Sequence, residues 1–196
     1  YYAFGAFNAE QFAWKLNSLL MRNTDQVNRM MMNLLDSHDT DRFYTWVGRD
    51  RKKLLSAAAV MVMFVGAPCI YYGTEIGMEG GFDPDCRRCM PWTDIEQGKY
   101  NEQISMTKQL IKLRKEEPLM RERNFHFPAD YADPRVIQFQ KMGWGETLEV
   151  IVNSSGEDIE VIRDEDSKIM FSRRLEGDVL HVNGVCIRYL SNKQNI

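Results

Sequence analysis

One stretch constrains this chain more than any other: Met30-Met31-Met32-Asn33-Leu34-Leu35-Asp36-Ser37-His38-Asp39-Thr40-Asp41-Arg42. From Met30 to Leu35 only Asn33 is polar. An apolar run that does not alternate reads as a strand covered on both faces, the pattern of a parallel sheet. The methionines at 30–32, together with Met61 and Met63, are expected in the core. The run then stops at a cluster of ionisable and hydroxyl side chains. In a parallel α/β barrel, chemistry sits at the C-terminal ends of the strands. His38, Asp39 and Arg42 fall at that position. Asp39 can supply a fixed negative charge, while His38 and Arg42 can donate hydrogen bonds to sugar hydroxyls or to an anion. The oxocarbenium-like transition state of glycoside hydrolysis asks for such an environment. An ion pair of Asp39 or Asp41 with Arg42 accounts for the same residues, and this segment by itself leaves the two readings open.

A second segment of the same kind lies downstream. Arg51 to Phe64 predicts a helix rich in Leu, Ala and Met, ended by Gly66-Ala67-Pro68. Cys69-Ile70-Tyr71-Tyr72 then reads as a short apolar strand, followed at once by Gly73, Thr74 and Glu75. Upstream, Ala9, Phe12, Ala13, Leu16, Leu19 and Leu20 recur at helical spacing, with Asn8 as N-cap and a further turn over Thr24–Arg29. Phe43 to Asp50 reads as a loop. The order helix, strand, helix, strand implies parallel pairing through a right-handed crossover. Two parallel strands do not make a stable sheet, so this half reads as the end of a larger α/β unit. The chain opens on Tyr1 with no signal pattern, and we expect it to be cut from something longer.

A long loop follows, Ile76 to Tyr100, carrying Phe82, Asp83, Asp85, Arg87, Arg88 and Trp92, a set that suits a binding loop. Tyr71 is expected to be structural. Trp92 is as consistent with sugar stacking as with packing, and Glu75 is equally open. A helix over Glu102 to Lys115 is closed by Pro118. From about Arg121 the pattern changes to short alternating strands near 136–140, 148–152, 159–162, 168–171, 179–182 and 185–190. Ser155-Gly156, Glu176-Gly177-Asp178 and Asn183-Gly184 are turn signals, and Asn183-Gly184 predicts a two-residue hairpin. The charged run Arg163 to Asp166 reads as a solvated turn. This predicts an α/β region over 1–121 and an independent antiparallel β-sandwich over 122–196.

Composition excludes several classes. The 196 residues are 44% hydrophobic and 27% charged with net charge −3, as in an ordinary globular protein. No apolar run approaches the roughly 18 residues of a membrane span. Lys and Arg are dispersed, so no nucleic-acid partner is expected. Cys86-Arg87-Arg88-Cys89 has C-x-x-C spacing but lacks a second ligand pair. We expect no metal and no cofactor, only reduced thiols in a cytoplasmic protein.

Three motifs together carry a family resemblance. Asn33-Leu34-Leu35-Asp36-Ser37-His38-Asp39-Thr40 resembles the segment ending strand seven of the α-amylase family of glycoside hydrolases. Gly66-Ala67-Pro68-Cys69-Ile70-Tyr71-Tyr72-Gly73-Thr74-Glu75 resembles its strand-eight segment. Gly77 to Trp92, with Asp83-Pro84-Asp85-Cys86-Arg87-Arg88, is similar to the cyclomaltodextrinase, neopullulanase and maltogenic amylase group. The resemblance implies strands seven and eight of a (β/α)8 TIM barrel, followed by a C-terminal β-sandwich. It implies Asp39 as the transition-state-stabilising carboxylate and His38 as a sugar donor in the cleavage subsite. Asp83 and Arg87 match contacts to the substrate's non-reducing side. Arg42 matches an arginine near the site that touches substrate or orients Asp39. The implied partners are α-glucan oligosaccharides or cyclodextrins. The nucleophile and acid/base motifs have no counterpart in these residues, so the fragment alone is expected to be inactive, and the open edge and uncovered apolar face of two parallel strands are expected to favour self-association. A non-catalytic carbohydrate-binding or regulatory remnant is the alternative.

Overall fold

The computed structural model describes residues 8–122, 125–128, 136–161 and 166–190. Helix α1 (Ala9–Leu20) starts at a capping box, with Asn8 Oδ1 accepting from the Gln11 amide at 2.8 Å and Gln11 Oε1 accepting from the Asn8 amide at 3.0 Å. Helix α2 (Asp25–Met30) follows, then strand β1 (Met32–Asn33). The expected loop at 43–50 contains a one-turn helix α3 (Phe43–Trp46). Asp50 caps helix α4 (Arg51–Met63) through the amides of Lys52 and Lys53. Strand β2 (Ala67–Pro68) pairs parallel to β1 in the register Met32↔Ala67 and Asn33↔Pro68.

Two expectations are corrected here. The run from Met30 is not a buried strand: β1 has two residues, and Met30 and Met32 are 83% and 62% exposed. Among the described residues no element covers this face, so the methionines at 30–32 are not core, whereas Met61 and Met63 are buried. Second, Gly66-Ala67-Pro68 does not merely end a helix. It forms the entry and body of β2, and Cys69–Tyr72 lie beyond the strand. Pro68 is tolerated because the amides facing β1 belong to its neighbours: Ala67 donates to Met31 O at 2.8 Å and Cys69 to Asn33 O at 2.7 Å. Gly66 is required by space and conformation. Its φ is +109°, and a Cβ there would lie 2.5 Å from Met31 O.

Beyond β2 the chain makes two one-turn 3-10 segments, Thr74–Ile76 and Asp85–Arg87, then helices α5 (Trp92–Glu96) and α6 (Asn101–Glu116). Pro118 opens a further 3-10 turn, Pro118–Arg121. Arg114 of α6 fastens this corner, donating to the carbonyls of Val62, Phe64 and Met120 and, through Nη2, to Gly66. It thereby satisfies carbonyls that the end of α4 leaves open.

The rest is antiparallel: β3 (Phe125–His126), β4 (Val136–Gly143), β5 (Glu146–Asn153), β6 (Ile159–Glu160), β7 (Lys168–Glu176) and β8 (Val179–Tyr189). They join in one sheet, ordered β3-β4-β5-β8-β6, with β7 also on β8, rather than in two facing sheets. The hairpin expected at Asn183-Gly184 is also corrected. The turn lies at Gly177-Asp178, where Glu176 pairs with Val179, and Asn183-Gly184 sits inside the continuous β8. Asn183 has φ +58° and faces the irregular pairing at Arg173/Leu175, so the pair marks a bend in a long strand. Of the charged run 163–166, residues 163–165 lie outside the described residues, as does 162.

One face of the sheet packs on the helices. Phe139, Leu148, Val150, Phe171, Val185 and Ile187 share a buried cluster with Ala59, Met63, Leu110 and Leu119. The sheet region thus shares a buried cluster with the helical one. The opposite face closes on itself around Val136, Ile151, Ile159, Val161 and Leu180. On that second face Glu149 and Arg188 form a buried ion pair at 2.8 Å, with Gln138 and Gln140 donating to the remaining carboxylate oxygen.

Candidate functional site

Both β1 and β2 deliver their following segments to the same end, because they run parallel. After β1 the chain turns at once. The Ser37 amide donates to Thr40 Oγ1 at 3.0 Å, and the Asp39 amide donates to Ser37 Oγ at 3.1 Å. This local bonding holds His38 and Asp39 outward, 61% and 71% exposed at the side chain, with His38 Nε2 3.2 Å from Asp39 Oδ1. Asp36, one turn earlier, does the opposite. It is buried and accepts from Thr74 Oγ1 at 2.6 Å and from the Phe43 amide at 3.1 Å. It ties the end of β1 to the segment after β2. Its signal in the sequence is an acid set directly against the apolar Leu35.

The long loop returns to this turn. Arg87 Nε lies 2.8 Å from Asp83 Oδ1 and donates to His38 O at 3.2 Å. Cys86 Sγ donates to the same carbonyl at 3.1 Å. Thus His38, Asp39, Asp83 and Arg87 are brought together, from segments 44 or more residues apart. The loop is self-braced: Arg88 clasps Asp85 at 2.6 and 2.8 Å, and the Gly81 amide donates to Asp85 Oδ2 at 2.7 Å. The Arg88 guanidinium, with the Gly81 amide second, holds the Asp85 carboxyl below its ordinary value.

Arg42 is not on the exposed surface. It has 0% exposure, and its guanidinium donates to Cys86 O at 2.7 Å and Tyr72 O at 2.6 Å. Tyr72 is partly exposed, its hydroxyl donating to Arg88 O at 3.0 Å, while Phe82 and Trp92 are exposed nearby in the loop sequence. One oxygen of Glu75, Oε2, is buried without a partner. Among the described residues no group of three His, Cys, Asp or Glu is arranged to hold a metal. Cys86 is buried, Cys89 is exposed, and they are not disulfide-bonded.

An open apolar recess of about 1000 Å³ lies elsewhere, between α1, β1 and α4, lined by Phe12, Leu16, Met32, Leu35 and Trp46. None of the four clustered polar residues faces it. The cluster is thus an exposed wall, chemically equipped to grip a polyhydroxyl ligand with a carboxylate, an imidazole and an acid–arginine pair. No described helix is long and apolar enough to cross a membrane.

Known proteins are similar to this chain in sequence and in fold. A cyclomaltodextrinase of Geobacillus thermopakistaniensis is 40% identical over 154 residues, covering 79% of this chain and 26% of the relative. Neopullulanase 2 of Thermoactinomyces vulgaris is 37% identical over 165 residues, covering 80% and 26%. A solved cyclomaltodextrinase structure superposes with TM-score 0.81 at 26% identity, over 97% of this chain and 34% of that one. The chain therefore spans about a quarter of the length of the curated relatives it matches. Residues 3–123 match the model of the alpha amylase catalytic domain, more than half of the sequence, and on that match the chain belongs to the alpha-amylase family.

Proposed function

We propose that this chain supplies one wall of an α-glucan-hydrolysing site in a retaining glycosidase acting on cyclodextrins, pullulan or maltosaccharides. The observation that carries the reading is the hydrogen bond from Arg87 to the His38 carbonyl, which puts the strand-end turn and the long loop at one place. Asp39 faces the positive charge that develops at the anomeric carbon. His38 donates to a hydroxyl of the same sugar. Asp83 and Arg87, already paired at 2.8 Å, hold the next sugar on the non-reducing side. Arg42 stays inside and takes no part in binding.

Retention requires a nucleophile and a general acid about 5–5.5 Å apart. No residue of this chain matches either role, so in this reading the whole protein provides both. Residues 1–121 belong to the barrel and residues 122–196 to a terminal β-domain. A cytoplasmic setting is part of this reading, in keeping with an intracellular maltogenic amylase of Bacillus subtilis that is 44% identical over 117 residues.

The test is Asp39→Asn in the whole protein, with maltotriose and β-cyclodextrin as substrates. The loss of one preorganised charge opposite a cationic transition state lowers kcat by about 10²–10³ or more while the fold is kept. Turnover within about threefold of the parent, on a factor set by the same scale, would remove Asp39 from the chemistry.

A further inference from the structure

Arg42 joins three separate segments, and that placement has a use. Its backbone amide donates to Gly80 O at 2.9 Å, Nε to Cys86 O at 2.7 Å, Nη1 to Tyr72 O at 2.6 Å and Nη2 to Met78 Sδ at 3.5 Å. The guanidinium lies 4.2 Å from the Tyr71 ring centroid and 4.7 Å from that of Tyr72. Its charge is thus held by carbonyl dipoles and aromatic faces, surroundings that a planar, weakly hydrated guanidinium tolerates. A lysine ammonium carries all its donors on one nitrogen at the end of a flexible stem and lacks the fixed fork whose Nε and Nη1 serve Cys86 O and Tyr72 O separately.

The loop is shaped to this residue. A Cβ on Gly80 would lie 2.6 Å from Asp85 O, 2.9 Å from Cys86 Cα and 3.0 Å from Arg42 Cγ, so the chain folds back on itself directly over the arginine. The two residues fixed there, Cys86 and Arg87, both reach the His38 carbonyl, at 3.1 and 3.2 Å. With no exposed surface, Arg42 cannot touch a sugar, and added protein would only cover it further.

We propose that Arg42 is a positioning residue that anchors the 78–88 loop from beneath and so keeps Asp83 and Arg87 against the His38–Asp39 turn. The use assigned to that loop rests on the reading of the site given above; the anchoring itself does not. It makes Arg42 a determinant of grip on the glucan rather than of bond cleavage.

Hydrogen exchange on this chain tests the anchoring. In Arg42→Lys, which keeps charge and stem, the amides of Gly81, Asp85 and Arg87 exchange at least about tenfold faster, while those of Val150 and Val152 in β5 are unchanged. Unchanged loop amides overturn the proposal, and so does an equal rise in β5, which would make Arg42 a general core support. In the whole protein, Arg42→Lys and Gly80→Ala both raise KM for maltotriose by about tenfold with kcat within about threefold. A fall in kcat at unchanged KM for Arg42→Lys overturns the assigned role. The exchange result stands or falls separately from the site reading, which Asp39→Asn tests.

Discussion

Arg114 and Lys141 donate to one acceptor, the carbonyl oxygen of Met120. Two cations from opposite sides thus converge where the helical region hands over to the sheet. Burial pushes the Lys141 amine down to about 7, the Arg114 charge adding to this and Glu122 opposing it. In the unfolded chain the amine keeps its ordinary value of 10.5. Between these values the unfolded state binds more protons, so stability rises with pH across the window and is lost as pH falls through about 7. Lys141→Met removes this slope and stabilises the chain below pH 7 by about 1–2 kcal/mol, since a buried charge is replaced by an apolar side chain of similar length. Urea midpoints at pH 6 and pH 9 measure it, and a variant with the parent's slope would contradict the assignment.

Gly66→Ala should break the entry to β2. The residue would combine a left-handed backbone with a Cβ lying 2.5 Å from Met31 O. Strain of this kind is worth about 1–3 kcal/mol, and the β1–β2 pairing would be displaced as well. The midpoint of urea unfolding should fall with the m-value unchanged. A midpoint equal to the parent's would show that the corner relaxes freely.

His181 and Asp158 form a surface clasp between β8 and the turn before β6, with Nδ1 2.7 Å from Asp158 Oδ2 and Glu176 3.7 Å from Nε2. Asp158 raises the His181 value, and His181, with the Val182 amide second, lowers that of Asp158. The His181 contribution is complete below its ordinary value of 6.5 and lost as pH rises through the raised one. The Asp158 contribution is complete above 3.8 and lost as pH falls through the lowered value. The clasp is therefore strongest between these limits. His181→Gln should lower Tm at pH 5.5 and leave Tm at pH 8.5 nearly unchanged, as thermal scans at the two values would read. An equal loss at both would make the residue a packing element.

The apolar face of Met30, Met32 and Leu34 should drive reversible association of the 196-residue chain. Burial is worth about 25 cal/mol per Å², and exposed patches of this type seek cover. Light scattering should show mass rising with concentration, and Met30→Lys with Met32→Lys should suppress it. A chain whose mass is constant over a hundredfold dilution series would count against this.

Local chemistry made the helices legible. Asn8 with Gln11, and Asp50 ahead of a Leu- and Ala-rich stretch, are decided within a few residues, and both caps form as their side chains dictate. The polar turn at His38-Asp39 and the loop at Asp83–Arg87 were visible as motifs, and their position after the strands led us to expect His38, Asp39 and Arg87 at one cleft; the carbonyl hydrogen bond across 49 residues that joins turn and loop was not legible. Burial was misjudged where it depends on what lies alongside. Met30 to Met32 have core chemistry, yet among the described residues no element covers their face. Asn183-Gly184 carries the chemistry of a tight turn, but positive φ serves a bend in a paired strand equally well, and the pairing of β7 with β8 resumes on either side of it. For Arg42 the sequence left contact with substrate and orientation of Asp39 both open; the carbonyls that draw it inward come from segments 30 and 44 residues away.

Pro68 makes the two rims of the β1–β2 pair chemically unequal. Its neighbours' amides face β1, so Pro68 itself points away, toward the outer rim of β2, and offers a carbonyl there without a donor. Met32, its counterpart on the outer rim of β1, offers both groups. A strand joining on the β2 side must bring a donor and leave one of its own carbonyls unmatched at that point, whereas the β1 side accepts a strand without penalty. Backbone pairing with a further strand is thereby better matched at the methionine rim than at the proline one.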